Sequence, residues 1–216
     1  MLEVYTLAVG ELEANCHIVV DSQKNAVLID PGDEPRRILG VLTERELTPL
    51  AMLLTHGHFD HFGAAAEIGR QTGIPLYVHP LDEPMLMNAD ASLAQSLGLA
   101  ECYHRPDPAL IRHIAEGDVL EFSPELTFTV LHTPGHSPGG CCFRHENQLF
   151  TGDTLFLRSI GRIDFPGGNI KDMRASLRRL GALEGDCICY CGHYDNTSLS
   201  QERKYNHYVN PELRQW

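Results

Sequence analysis

Three histidines and an aspartate fall within six residues, His56-Gly57-His58-Phe59-Asp60-His61. Surface solvation rarely needs such a cluster, whereas imidazole nitrogens and a carboxylate are donors that zinc, iron and manganese all accept. Alternate residues of a short loop diverge, so one tetrahedral centre cannot readily take all four side chains. His56 and His58 would share one side, leaving Asp60 and His61 for a second ion. Two divalent ions, zinc first and iron or manganese next, are therefore expected.

Each ion then lacks ligands, and three later residues stand in similar settings. His136 lies in the rigid turn Thr133-Pro134-Gly135-His136-Ser137-Pro138-Gly139, Asp153 in Thr151-Gly152-Asp153, and His193 in Cys191-Gly192-His193. A ligand at a strand-end turn is held by a sheet yet stays reachable, as a catalytic metal requires. The plainer alternatives are solvated loop residues at His56, His58, Asp60 and His61, a turn histidine at 136 and a cap or turn carboxylate at 153. The remaining histidines, His17, His79, His104, His113, His132, His145 and His207, read as core or surface residues.

The elements that must position these side chains can be read from hydrophobic patterning. Strands are expected at Val4 to Val9, Cys16 to Asp21, Ala26 to Asp30, Ala51 to Leu54 and Leu76 to His79. More follow at Val119 to Phe122, Leu126 to Leu131, Cys141 to Phe143, Gln148 to Thr151 and Cys187 to Cys191. Asp33 is placed to cap a helix over Glu34 to Arg45. Further helices are expected at Phe62 to Gln71, Asp90 to Leu97, Lys171 to Leu180 and Ser200 to Tyr208. The stretch 81–113, long and mixed in polarity, reads as a lid or substrate-facing segment. Strands interspersed with helices predict an α/β unit of sheets covered by helices.

With 216 residues the chain fits one domain over 1–216, and 43% hydrophobic against 21% charged residues rules out wholesale disorder. The formal charge of −12 argues against a nucleic-acid or anionic-membrane partner, and no apolar run approaches the length of a bilayer span. Met1-Leu2-Glu3-Val4-Tyr5 does not read as a signal peptide, so a cytoplasmic protein is expected. Seven cysteines, an odd number, suit reduced thiols. Cys187, Cys189 and Cys191 alternate as the core face of a strand would, with a CxCxC metal site as the sharper alternative. Cys141 and Cys142 should point to opposite faces. The sequence is silent on oligomeric state.

The combined pattern, His-x-His-x-Asp-His followed by His136, Asp153 and His193, resembles the metallo-β-lactamase superfamily. The likeness runs from Asp30-Pro31-Gly32 through Thr133-Pro134-Gly135-His136 to Asn210-Pro211. It implies an αββα sandwich of two mixed β-sheets with metals at one edge. It also implies that His56, His58 and His136 bind one metal, that Asp60, His61 and His193 bind a second, and that Asp153 bridges both. The family commonly follows the last histidine with Gly-Pro. Here the text is His193-Tyr194-Asp195-Asn196-Thr197, which would put Tyr194 over the metals.

Asp153 separates the chain from the zinc β-lactamases it resembles, which generally carry cysteine at that step, and so disfavours antibiotic hydrolysis. His58 stands where the flavin-partnered di-iron oxygen reductases carry glutamate. Gly161-Arg162-Ile163-Asp164-Phe165-Pro166 and the ending Glu202-Arg203-Lys204-Tyr205-Asn206 through Asn210-Pro211 are similar to short, single-domain glyoxalase II-like hydrolases. The chain ends at Trp216 without their larger relatives' helical domain, so thioester hydrolysis is better supported than glutathione specificity. The resemblance implies a small-molecule thioester substrate such as S-lactoylglutathione, attacked by a hydroxide held between the ions and oriented by Asp60. Such a site carries about one net positive charge, which Arg158, Arg162 and Lys171 could reinforce toward an anionic substrate. A mononuclear iron persulfide dioxygenase using His56, His136 and Asp153 is the main alternative, with a lactonase on the same metals behind it.

Overall fold

In the computed structural model, residues 2–210 and 212–213 are described; Met1, Pro211 of the Asn-Pro ending and Trp216 lie outside them. The first sheet has the order β1-β2-β3-β4-β5-β6, built from β1 (Glu3–Val9), β2 (Ala14–Val20), β3 (Asn25–Ile29), β4 (Thr48–Leu53), β5 (Leu76–Val78) and β6 (Ile111–His113). Its first three strands are antiparallel and its last three follow in parallel. The second sheet runs β12-β11-β10-β9-β8-β7, from β7 (Val119–Glu121), β8 (Thr127–His132), β9 (Cys141–His145), β10 (Gln148–Gly152), β11 (Ile188–Cys191) and β12 (Thr197–Ser198). Only the β10–β11 pair is parallel within it.

Period-two alternation sorts each strand's side chains between two buried layers. Val19, Val27, Ile29 and Leu53 meet Phe128, Val130, Phe143 and Phe150 between the sheets. On the other face of the first sheet, Ile18, Leu28 and Met52 pack under α1 (Pro35–Glu44), α2 (Phe59–Phe62), α3 (Ala65–Thr72) and α4 (Glu83–Leu86). On the outer face of the second, Leu131, Cys142 and Leu149 meet Met173, Leu177 and Leu180 of α5 (Ile170–Gly181) and Leu199 of α6 (Leu199–Tyr205). The spacing Met173, Leu177, Leu180 lines one face of α5, and each such buried side chain contributes about 1.5–3 kcal/mol. The result is the expected αββα sandwich. No helix of the described residues is long and apolar enough to cross a membrane.

Several local expectations are corrected. Asp33 does not cap α1: Glu34 takes that position with φ 52, no side chain accepts there, and Pro35 opens the helix. The helix expected from Phe62 is broken after α2, because the Ala64 amide donates to Pro31 O at 3.0 Å instead of continuing the ladder. Backbone contact enforces the break, since a Cβ on Gly63 would lie 2.4 Å from Gly32 O. No helix forms over Asp90 to Leu97; Asn88 Oδ1 accepts from the Asp90 and Ala91 amides and Leu93 turns left-handed. The 81–113 stretch is anchored by buried Asp82, Leu86 and Ala94 and contains the unforeseen strand β6.

Cys187, Cys189 and Cys191 are buried, and burial pushes their thiols up, to about 12 at Cys191. All seven cysteines are free, and among the described residues none joins a group that could hold a metal. Cys141 packs between the sheets and Cys142 under the helices, on opposite faces as expected.

Candidate metal centre

The seven singled-out residues follow the ends of four strands. His56 and His58 lie in the loop after β4, and Asp60 and His61 sit on the single turn of α2 that ends it. His136 follows β8, Asp153 follows β10 and His193 follows β11. Gly152 (φ 48) lets β10 pass Thr55, where a Cβ would come within 2.2 Å of the Thr55 hydroxyl. Gly135 (φ 143) does the same beneath α5, 2.4 Å from Met173 Cα.

These turns bring the singled-out side chains together in two groups, and His56 and His61 form a third with Asp30. Candidate ligand atoms of His56, His58 and His136 lie within 4.8 Å of one another, as do those of Asp60, His61 and His193. His136 Nε2 faces His58 Nδ1 at 2.9 Å, and His61 Nε2 faces His193 Nε2 at 3.2 Å. Asp60 Oδ2 is 3.3 Å from His193 Nε2 and 3.6 Å from His61 Nε2. Asp153 stands between the groups. Its Oδ2 is 3.5 Å from His136 Nε2 and 3.7 Å from His193 Nε2, and its Oδ1 is 3.5 Å from His61 Nε2.

The outer nitrogens fix which lone pairs point inward. His136 Nδ1 donates to Arg162 O at 2.6 Å, His193 Nδ1 to Leu12 O at 3.1 Å and His61 Nδ1 to Asp30 Oδ2 at 3.0 Å. His56 Nδ1 donates to Thr55 Oγ1, which itself donates to Asp30 Oδ2 at 2.6 Å. A ring that donates through Nδ1 presents an Nε2 lone pair, as a metal-binding imidazole must.

The electrostatics separate the two groups: His56 and His58 stay neutral, whereas His61 holds a proton that a cation bound there would displace. Burial, reinforced by the neighbouring imidazoles, holds His56 and His58 well below the usual histidine range, so both are neutral. Burial acts against charge on His61, yet Asp60, Asp153 and Asp30 outweigh it and raise its pKa to about 10. Burial also opposes ionisation of Asp60, but His61 and His193 keep its carboxyl below the usual range. His56 Nε2, His58 Nε2 and Asp153 Oδ1 are buried without a hydrogen-bond partner, and His58 is the ring that turns Nδ1 toward His136. Zinc–nitrogen bonds of 2.0–2.1 Å give tetrahedral edges of about 3.3 Å, inside the spread of separations here. The donor set thus fits divalent transition metals.

The expected substrate contacts are less concentrated. Tyr194, 79% exposed, stands beside His193 with ring centroids 6.1 Å apart and edge-on to Phe156, so it forms a rim to the site. Arg162 is bidentate to Asp164 and lies 4.0 Å over the Phe165 ring; its carbonyl, not its charge, serves the site. Arg158 lies 5.3 Å from the Tyr205 ring, and Lys171 is exposed on the first turn of α5. Beside His193 is a cavity of about 170 Å³ lined by Ala8, Leu12, Glu13, Asn15 and Tyr194. Asp30 is a residue of the site that the motif pattern alone misses, although it stands at a strand end before Pro31-Gly32 like the candidate ligands.

A family model for the metallo-beta-lactamase superfamily matches residues 9–193. The hydroxyacylglutathione hydrolase GloC of Haemophilus influenzae is 35% identical over 213 residues, 97% of this chain and 99% of that protein. Among solved structures, the BLEG-1 B3 metallo-beta-lactamase superposes with a TM-score of 0.87 at 31% identity, over 96% of this chain and 100% of that one. TTHA1623 in a di-iron-bound form gives a TM-score of 0.84 at 42% identity, over 94% and 98%.

Proposed function

Since the chain belongs to the metallo-beta-lactamase superfamily and is a metal-dependent hydrolase of that fold, we propose that it cleaves thioesters such as S-lactoylglutathione at a centre of two divalent ions. In this reading His56, His58 and His136 hold one ion, Asp60, His61 and His193 hold the other, and Asp153 spans both. The observation that carries it is the convergence of the inward lone pairs of both groups around the Asp153 carboxylate, whose Oδ2 lies 3.5 Å from His136 Nε2 and 3.7 Å from His193 Nε2 and whose buried Oδ1 has no hydrogen-bond partner. Such lone pairs repel one another unless cations lie among them. The likeness to GloC along nearly the whole of both chains supports the thioester. Zinc suits the donors, and the di-iron form of TTHA1623 supports iron equally.

Bound there, two divalent ions would lower the pKa of water from 15.7 to roughly 7 and polarise the scissile carbonyl. The chain's own groups supply the alignment. Asp60 stays ionised between His61 and His193 and accepts the hydrogen bond that orients the attacking water. Thr55 and Asp30 hold His56 and His61 in a single tautomer. A thiolate is a good leaving group and needs no dedicated general acid. Leu12 and Tyr194 wall the cavity beside His193. The proposal takes the protein to act in the cytoplasm on a small molecule.

The test is hydrolysis of S-lactoylglutathione by purified protein, with metal content measured on the same sample and a chelated control. Chelator-sensitive turnover with two ions per chain is expected. A single iron with oxygen uptake on glutathione persulfide would replace the proposal with the dioxygenase. The likeness to BLEG-1 makes a β-lactam the necessary second substrate, and cleavage of it alone would overturn the thioester assignment.

A further inference from the structure

Each group of candidate ligands is flanked by a buried polar side chain whose hydrogen bonds go to the neighbouring backbone and Ser137 rather than to the ligands. Asp82 is fully buried. Its Oδ2 accepts from Gly57 N at 3.0 Å and Ser137 Oγ at 2.6 Å, and its Oδ1 accepts from Gly139 N at 2.6 Å. Gly57 separates His56 from His58, and Ser137 follows His136. One carboxylate thus spans the two loops whose histidines meet at 2.9 Å from 78 residues apart. The loops close tightly on it, since a Cβ on Gly57 or Gly139 would lie 2.7 Å from Asp82 atoms.

Asn15 occupies the matching place at the other group. It is 5% exposed, and its Nδ2 donates to Cys191 O at 3.0 Å and Tyr194 O at 2.9 Å, the carbonyls on either side of Gly192-His193. Its own amide donates to Gly192 O at 2.7 Å. Tyr194 has φ 61, a region that side chains other than glycine avoid, so this turn does not follow from local preference and needs an external hold. None of Asp82's partners belongs to the second group, and none of Asn15's belongs to the first.

We infer that, on either side of the Thr55 and Asp30 pair that both groups share, each group has its own positioning residue, Asp82 for the loops that carry His56, His58 and His136, and Asn15 for the turn that carries His193. This rests on the dinuclear reading proposed above. Asp82→Asn would turn an amide NH2 toward donors that need an acceptor, and Asn15→Ala would free both carbonyls that bracket His193. Each change should therefore release one ion and spare the other.

The experiment equilibrates wild type, both single variants and the double variant with zinc and a competing chelator. It then counts ions per chain and records thermal unfolding alongside. Independent positioning predicts about two ions in wild type, about one in each single variant and close to none in the double variant. The cobalt-substituted single variants should show different visible spectra, because three imidazoles surround one ion and a mixed set the other. If Asp82→Asn does not fold, Ser137→Ala, which removes a single donor, takes its place. Singles that keep both ions, singles that lose both, or a double variant that keeps one would each overturn the inference. Wild type holding fewer than two ions would instead overturn the dinuclear reading beneath it.

Discussion

Removing the Asp153 carboxylate should disturb both groups of ligands at once. Its Oδ2 lies 3.5 Å from His136 Nε2 and 3.7 Å from His193 Nε2, while its Oδ1 lies 3.5 Å from His61 Nε2. The side chain is only 10% exposed, so water cannot readily replace the lost oxygens. Deleting one member of a buried charged set costs about 3–5 kcal/mol. At 1.36 kcal/mol per tenfold, Asp153→Ala should lower kcat/KM by about two to four orders of magnitude if that cost falls on the transition state. It should also lose at least one ion per chain. The assay is thioester turnover with metal counted on the same sample, and Asp153→Asn, which keeps the shape, should fall between. Wild-type metal content and turnover in Asp153→Ala would refute the bridging role.

Gly192→Ala should act on the same carboxylate by steric means, because a Cβ there lies 2.3 Å from Asp153 Oδ1 and 2.9 Å from the Gly152 carbonyl carbon. About 1–3 kcal/mol of stability should be lost with weakened metal retention, read by denaturant titration and metal analysis. Asp30→Asn replaces an acceptor used by Thr55 N, Thr55 Oγ1 and His61 Nδ1. Metal affinity should fall about 10–100-fold, and unchanged affinity in a chelator competition would remove Asp30 from the site. His17 should make the fold acid-sensitive: burial chiefly, against Asp30 and the Cys191 carbonyl, lowers its pKa to about 4. The unfolded chain then takes up the proton first, so this contribution is full above about pH 6.5 and is lost as pH falls toward 4. Its size is about 3 kcal/mol, and His17→Gln should flatten that part of the stability–pH curve.

The sequence carried the donor chemistry and most of the framework. Residue type and spacing at His56, His58, Asp60 and His61 point the loop to metal-ligand chemistry before any fold is known. The alternation through Val19, Val27 and Ile29 and the helical spacing of Met173, Leu177 and Leu180 identify strands and a helix, because these periods are set by the backbone itself. Cys187, Cys189 and Cys191 could be read either way from the sequence, and burial resolved them as protonated core thiols.

Only the tertiary structure decided how the candidate ligands are held. Asp30, Asp82 and Asn15 are ordinary polar residues in the sequence, and their meaning lies in partners 31, 55 and 179 positions away. Local patterning reports which face of an element is apolar. It does not report which buried donor a carboxylate will meet across the sheet edge. The break after α2 has the same origin, a carbonyl at Pro31 capturing an amide that helix propensity would have used. Chemistry and periodicity are local and survive in the one-dimensional text, whereas the two groups exist only because the loops after β4, β8, β10 and β11 end at one edge of the sandwich.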